Sequence, residues 1–159
     1  MKEIFIEVKH CLACKSCEVY CAVAHSASRN LFAALDESPQ PLPRVKVKQT
    51  KTAKAMPAQC RHCVNPPCVS SCERGAIRKD PESQLTIIDA KRCMGCDTMP
   101  CVPACPFGAI IMEKDKKIVL VCDQCVEIGE PVCVLACPTN VFSLERKVAP
   151  DQSGQRRSR

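Results

Sequence analysis

Sixteen cysteines in 159 residues fall into four groups of four, with none left over. The first group is Cys11, Cys14, Cys17 and Cys21, spaced C-x2-C-x2-C-x3-C. The second is Cys60, Cys63, Cys68 and Cys72, spaced C-x2-C-x4-C-x3-C. Cys93, Cys96, Cys101 and Cys105 repeat that spacing, and Pro106 follows. Cys122, Cys125, Cys133 and Cys137 form the fourth, spaced C-x2-C-x7-C-x3-C, with Pro138 after it. Three things commonly demand so much cysteine: a disulfide scaffold, zinc, or iron–sulfur clusters. Aromatic core-builders are scarce, with no Trp, one Tyr (Tyr20) and four Phe. Metal centres held by thiolates would fill that space, because metal-binding free energy is also folding free energy.

The disulfide reading needs an oxidising compartment. The start, Met1 to Val8, alternates apolar and charged residues and lacks the apolar stretch and cleavage site of a secretory signal. It carries no twin-arginine motif. No apolar run is long enough to cross a bilayer. We therefore expect a cytoplasmic protein whose thiols stay reduced and available to metal.

The spacings decide among the metals. In the bacterial ferredoxin run, three closely spaced cysteines hold one cubane and the fourth ligates a different one. A tight loop can offer three thiolates to one face, and the fourth, after three intervening residues, sits on a helical turn pointing away. Proline after the fourth cysteine suits the change of direction; Ala22 and Glu73 replace it in the first two groups. Structural zinc instead takes two C-x2-C knuckles converging on one ion, which these crowded groups match poorly. Four complete sets imply four 4Fe–4S clusters. The radical-generating C-x3-C-x2-C spacing is absent.

Charge agrees. The formal +6 treats every cysteine as neutral. Each oxidised cluster with four thiolates adds about −2, so four bring the protein to roughly −2. The Lys and Arg excess then compensates cluster charge. A nucleic-acid footprint would interleave basic runs with aromatics, and none does.

Short strands recur between the groups. Residues 75–78 and 85–88 flank the turn-rich 79–83, and residues 109–112 and 117–120 flank 113–116, so both read as hairpins. Cysteine group, hairpin, cysteine group is an internal repeat. Ile4-Phe5-Ile6-Glu7-Val8 and Val141-Phe142-Ser143-Leu144 are strand candidates at the two edges. In the long interval 22–59, Leu31–Leu35 reads as a short helix capped by Ser28 or Asn30. Pro39, Pro41 and Pro43 force an extended segment, and Val45–Lys48 alternates like a strand. Residues 149–159 read as a frayed tail, a docking role for Arg156, Arg157 and Arg159 being the alternative.

The four groups resemble the four-cluster ferredoxin subunits of the dimethyl sulfoxide reductase and formate dehydrogenase type, from Cys11 to about Leu144. Within that family, Cys14-Lys15-Ser16-Cys17-Glu18, Ala22-Val23-Ala24-His25-Ser26 and Gln59-Cys60-Arg61-His62-Cys63 look most like the electron-transfer subunit of carbon monoxide dehydrogenase. The resemblance implies an α+β fold of two pseudo-symmetric, bacterial-ferredoxin-like two-cluster modules, one nested in the other. The outer module would be 1–21 plus 118–148 and the inner one 57–117, with 22–56 a connecting insertion and 149–159 a flexible tail. It also implies four ligand sets: Cys11, Cys14, Cys17 with Cys137; Cys60, Cys63, Cys68 with Cys105; Cys93, Cys96, Cys101 with Cys72; and Cys122, Cys125, Cys133 with Cys21. The strand candidates at the two edges bracket the chain and could pair, which agrees with nesting, while spacing alone leaves open a pairing of the first group with the second and the third with the fourth. Inserted residues, Asn65-Pro66-Pro67 and Ile128-Gly129-Glu130-Pro131, would shape the cluster surroundings.

The resemblance makes the chain an electron relay without chemistry of its own. The partner it implies is a carbon monoxide dehydrogenase, with a hydrogenase, reductase or other acceptor downstream. A formate dehydrogenase or hydrogenase complex is the second reading and a zinc-stabilised interaction module the third. The five scattered glycines form no dinucleotide fingerprint, and no catalytic triad or carboxylate pair stands out. Lys15, Arg61, His62, Lys91 and Arg92 lie beside ligands and read as solvated charges, with potential tuning or docking as the alternative. His25 reads as a capping or core histidine. Met94, Met99 and Met112 read as gap-fillers around clusters.

Overall fold

The fold is described from a computed structural model over residues 2–49 and 55–146. It is built from four two-stranded antiparallel sheets and short helices. Strand β1 (Lys2–Ile6) pairs with the last strand, β8 (Phe142–Arg146), so the two edges of the described chain close on each other. Between them run helices α1 (Ser16–Ala24) and α2 (Leu31–Leu35), hairpin β2 (Val45–Gln49) with β3 (Ala55–Gln59), and α3 (Pro67–Ser70). Hairpin β4 (Ile77–Lys79) with β5 (Thr86–Ile88) follows, then α4 (Ala90–Cys93) and α5 (Cys101–Ala104). Hairpin β6 (Ile111–Glu113) with β7 (Ile118–Leu120) and helix α6 (Val132–Ala136) complete the set.

Local chemistry explains the starts of the helices. The Asn30 side chain accepts from the amides of Phe32 and Ala33, so Asn30 caps α2. Asp89 does the same for α4 through the Arg92 amide. Pro67 opens α3, where a missing N–H costs nothing. Pro131 leads into α6 in extended backbone. The inserted prolines of the second and fourth groups thus launch the helices that carry Cys68 and Cys133.

Both expected hairpins form, and the edge strands pair. The strands that follow the last three cysteine groups start one or two residues later than the sequence pattern suggests, at Ile77, Ile111 and Phe142. The displaced residues are spent elsewhere: the amides of Ala76, Ala109 and Val141 point at cysteine sulfurs. Strand β3 is not foreseen from the sequence, because it contains Pro57. In a two-stranded sheet every strand is an edge, so a proline is tolerated there.

A two-stranded hairpin is marginal in isolation and needs something to pack against. Here that is two clusters of buried side chains. One gathers Cys68, Cys93 and Cys101 with Ala76, Ile77, Ile110, Ile118, Val119 and Val121. The other gathers Cys17, Cys21, Cys122 and Cys133 with Ile4, Val45, Val141 and Phe142. Helix α3 packs on α5, and α1 on α6. Among the described residues no helix is long and apolar enough to cross a membrane. The expected tail, residues 149–159, lies outside the described residues.

Candidate metal centre

All sixteen thiols are free. In each group the third cysteine sits in the first turn of a helix and the fourth lies one turn later. Cys17 and Cys21 are both on α1; Cys105 and Cys137 end α5 and α6; Cys72 follows α3. The fourth thiol thus lies one helical turn, about 5.4 Å, along from the third.

The electrostatic neighbours of the buried thiols show where it goes. Burial pushes Cys17 up to about 12, with Glu18, Cys11 and Cys137 adding to the shift. Cys60 is pushed up to about 11 by burial and then by Cys68, Cys105 and Cys63. Cys101 rises to about 11 through burial, Cys72, Cys93 and Cys96. Cys133 rises to about 12 through burial, Cys21 and Cys125, and also feels Cys17, one turn before Cys21 on α1. Cys122 lies well above its ordinary value, again through burial first, with Cys133 and Cys21 contributing. Exposed Cys14 is instead pulled down by hydrogen bonds from Ser16, against a push from Cys137. By these interactions Cys137 lies near Cys14 and Cys17, Cys105 near Cys60 and Cys68, Cys72 near Cys101, and Cys21 near Cys122, Cys125 and Cys133.

Burial and mutual repulsion keep these thiols protonated until a cation takes the place of their protons, as a thiolate-ligated metal centre requires. The space fits such a group. Cys72, Cys93, Cys96 and Cys101 all line one cavity of about 240 Å³, walled by Ile77, Met99 and Val119. Backbone amides face several sulfurs: Ala76 donates to Cys72 at 3.3 Å, Ala109 to Cys105 at 3.4 Å, Val141 to Cys137 at 3.3 Å and Gln124 to Cys122 at 3.4 Å.

Side chains around the thiols divide unevenly. Lys15, Lys91 and Arg92 are exposed, as expected of solvated charges. Arg61 is half-buried with its guanidinium 5.8 Å from the centre of the Phe107 ring. His62 departs from the expectation: it is buried, and its Nδ1 accepts the Thr86 amide at 3.0 Å. Met99 packs against a core as a gap-filler, whereas Met94 and Met112 are exposed because their segments face solvent.

His25 is the capping histidine the sequence suggests. At the end of α1 its Nδ1 lies 2.7 Å from the Cys21 carbonyl and its Nε2 3.1 Å from Asp123 Oδ1. Burial opposes its charge, but the bonds to Asp123 and Cys21 prevail and push its pKa up to about 10. Asp123 is held well below the usual carboxylate range: burial opposes ionisation, and the His25 bond and the Arg44 charge overcome it. Arg44 also pairs with Asp123 directly. Ligand atoms of His25, Asp123 and Cys125 lie within 4.8 Å of one another, which sets this ion-paired group against the fourth thiol set. Sequence reading passed over Arg44 and Asp123. The signal was faint: an acid inside the C-x2-C of the fourth group, and an arginine ending the proline-rich segment.

Residues 51–147 match a protein family described as the 4Fe–4S dicluster domain. The chain is 36% identical over 154 residues to an iron–sulfur protein of Rhodospirillum rubrum, covering 89% of this chain and 80% of that protein. It is 30% identical over 170 residues to the electron transport protein HydN of Escherichia coli K12, covering 98% and 95% of the two chains. It is 27% identical over 164 residues to the formate dehydrogenase 2 subunit beta of Nitratidesulfovibrio vulgaris, covering 89% and 75%.

Proposed function

This chain belongs to the 4Fe–4S dicluster domain family and is an iron–sulfur electron-transfer protein; from that premise we propose that it holds four 4Fe–4S clusters and relays electrons from a carbon monoxide dehydrogenase to a hydrogenase, a reductase or another acceptor. What supports the four-cluster part is that a buried thiol in each group feels the last cysteine of a different group: Cys17 feels Cys137, Cys60 feels Cys105, Cys101 feels Cys72 and Cys133 feels Cys21. The ligand sets are then Cys11, Cys14, Cys17 and Cys137; Cys60, Cys63, Cys68 and Cys105; Cys93, Cys96, Cys101 and Cys72; and Cys122, Cys125, Cys133 and Cys21. The two cores support the nested arrangement: the buried cysteines of the second and third groups share one and those of the first and fourth the other, with half-buried Cys60 packed against both.

Clusters of this kind supply reversible one-electron storage, at potentials set by hydrogen bonds to sulfur, net charge and exposure. The protein's own part is to hold each set in a low-dielectric pocket, aim amides at its sulfurs and present one set near a partner. Exposed Cys14 makes the first set the one nearest solvent. Catalysis belongs to the partner. The partner assignment rests on the motif resemblance around Cys14–Glu18, Ala22–Ser26 and Gln59–Cys63. The likeness to a formate dehydrogenase beta subunit favours a second reading, with that enzyme as donor.

Purified without oxygen, the protein is expected to carry about sixteen iron and sixteen sulfide per chain. Carbon monoxide with a substoichiometric amount of its dehydrogenase should then bleach the sulfur-to-iron absorption. Bleaching by formate and formate dehydrogenase alone would transfer the assignment to the second reading. Zinc without sulfide would overturn both.

A further inference from the structure

Three of the four thiol sets share a device around the cysteine that crosses over. After Cys72, Cys105 and Cys137 the chain leaves its helix, and the residue three places on takes left-handed backbone: Gly75 at φ +59°, Gly108 at +54° and Asn140 at +52°. That turn swings the next amide, of Ala76, Ala109 or Val141, onto the sulfur of the same cysteine. The first group cannot do this. Helix α1 runs on through Cys21 to Ala24, and the His25 amide is spent on the carbonyls of Cys21 and Ala22.

Cys21 nevertheless receives an amide. The Arg44 N–H, 23 residues further along the chain, donates to its Sγ at 3.1 Å. Pro39, Pro41 and Pro43 restrict the backbone leading to this residue. The Arg44 side chain is anchored on Asp123, which also receives His25 Nε2 at 3.1 Å and the Cys125 amide at 3.0 Å. One end of this anchor is the loop of the fourth group and the other is the end of α1. We infer that residues 22–44 are a strap that gives Cys21 the amide–sulfur hydrogen bond its own helix withholds, with Arg44, Asp123 and His25 as positioning residues, and that the strap sets the potential of the cluster held by Cys21, Cys122, Cys125 and Cys133. The inference rests on the four-cluster reading above. An N–H aimed at a cysteine sulfur favours the more negative, reduced state, so loss of the donor lowers the potential of that cluster alone.

The test is an oxygen-free redox titration followed by electron paramagnetic resonance, on protein whose iron and sulfide have first been counted. Arg44→Pro removes the N–H; Arg44→Gln and Asp123→Asn keep it but release the anchor. Arg44→Pro should move one of four midpoints to more negative values and leave three in place. The two anchor variants should move the same midpoint by less. If Arg44→Pro does not load its clusters, the anchor variants decide: the same single midpoint moving negative in both supports the strap, because charge loss alone would move it in opposite directions in the two, and opposite shifts overturn it. Four unmoved midpoints in fully loaded variants overturn it. An unsubstituted protein with far fewer than about sixteen iron would mean that the four-cluster reading had failed, not the strap.

Discussion

His62 stands between Cys60 and Cys63 in the chain, yet its imidazole is buried against strand β5. Its Nδ1 lies 3.8 Å from Cys60 Sγ and accepts the buried Thr86 amide, and Lys79 Nζ donates to its carbonyl at 2.8 Å. The ring thus joins a cysteine loop to strand β5. Replacing it by alanine would strand the Thr86 amide in a site where water does not reach. A buried donor left without an acceptor costs about 1–3 kcal/mol. His62→Ala is therefore expected to lower the stability of the iron-loaded protein by about that amount, measured as the midpoint of anaerobic denaturant unfolding. An unchanged midpoint would mean that the amide finds another acceptor. Sequence reading placed His62 in solvent for a reason that can be named. A polar residue beside a ligand is ordinarily at the surface, and the partner that buries this one lies 24 residues away. The capping role of His25 was legible because its first contact, with Cys21, is one helical turn back.

Among the elements, the turn after Cys72, Cys105 and Cys137 governs where the next strand begins. Gly75, Gly108 and Asn140 occupy equivalent places with positive φ, a region that costs other L-residues about 1–2 kcal/mol. A Cβ at Gly75 would meet nothing closer than the Arg92 guanidinium at 4.0 Å, so the backbone alone sets the penalty there. Gly75→Ala should cost about 1 kcal/mol and Gly75→Asn less, since asparagine tolerates this conformation and already holds the corresponding place at 140. The comparison of the two unfolding midpoints is the check; equal losses would show that conformation is not the cause. Hydrophobic alternation announced the strands but not their first residues, because it carries no information about an amide recruited by sulfur. For the same reason β3 went unforeseen: Pro57 argues against a strand until its pairing with Val47 is known.

For the whole molecule, the arrangement of thiols takes over work that aromatic packing does elsewhere. Both buried cores contain cysteines as members, so each thiol set is continuous with the apolar interior. The four cysteine groups were legible in spacing, which fixes local geometry. The pairing of groups was not, because it depends on how distant segments close. In the structure Ile4 faces Leu144, and Ile6 faces Phe142, across β1 and β8, which brings the first and fourth groups together. If each set holds one cluster, pairs of substitutions separate the two pairings by counting iron. Under nested pairing Cys11 and Cys137 serve the same cluster, whereas Cys11 and Cys72 serve different ones. The double variant Cys11→Ala, Cys137→Ala should then lose one cluster and retain about twelve iron, while Cys11→Ala, Cys72→Ala should lose two and retain about eight. Sequential pairing reverses this order, since Cys72 would then complete the set begun by Cys11. Iron and sulfide determined on anaerobically purified variants distinguish the two. Sulfide must fall in step with iron, because each lost cubane removes both elements equally. A larger loss from the Cys11 and Cys137 pair than from the Cys11 and Cys72 pair would overturn the nested assignment.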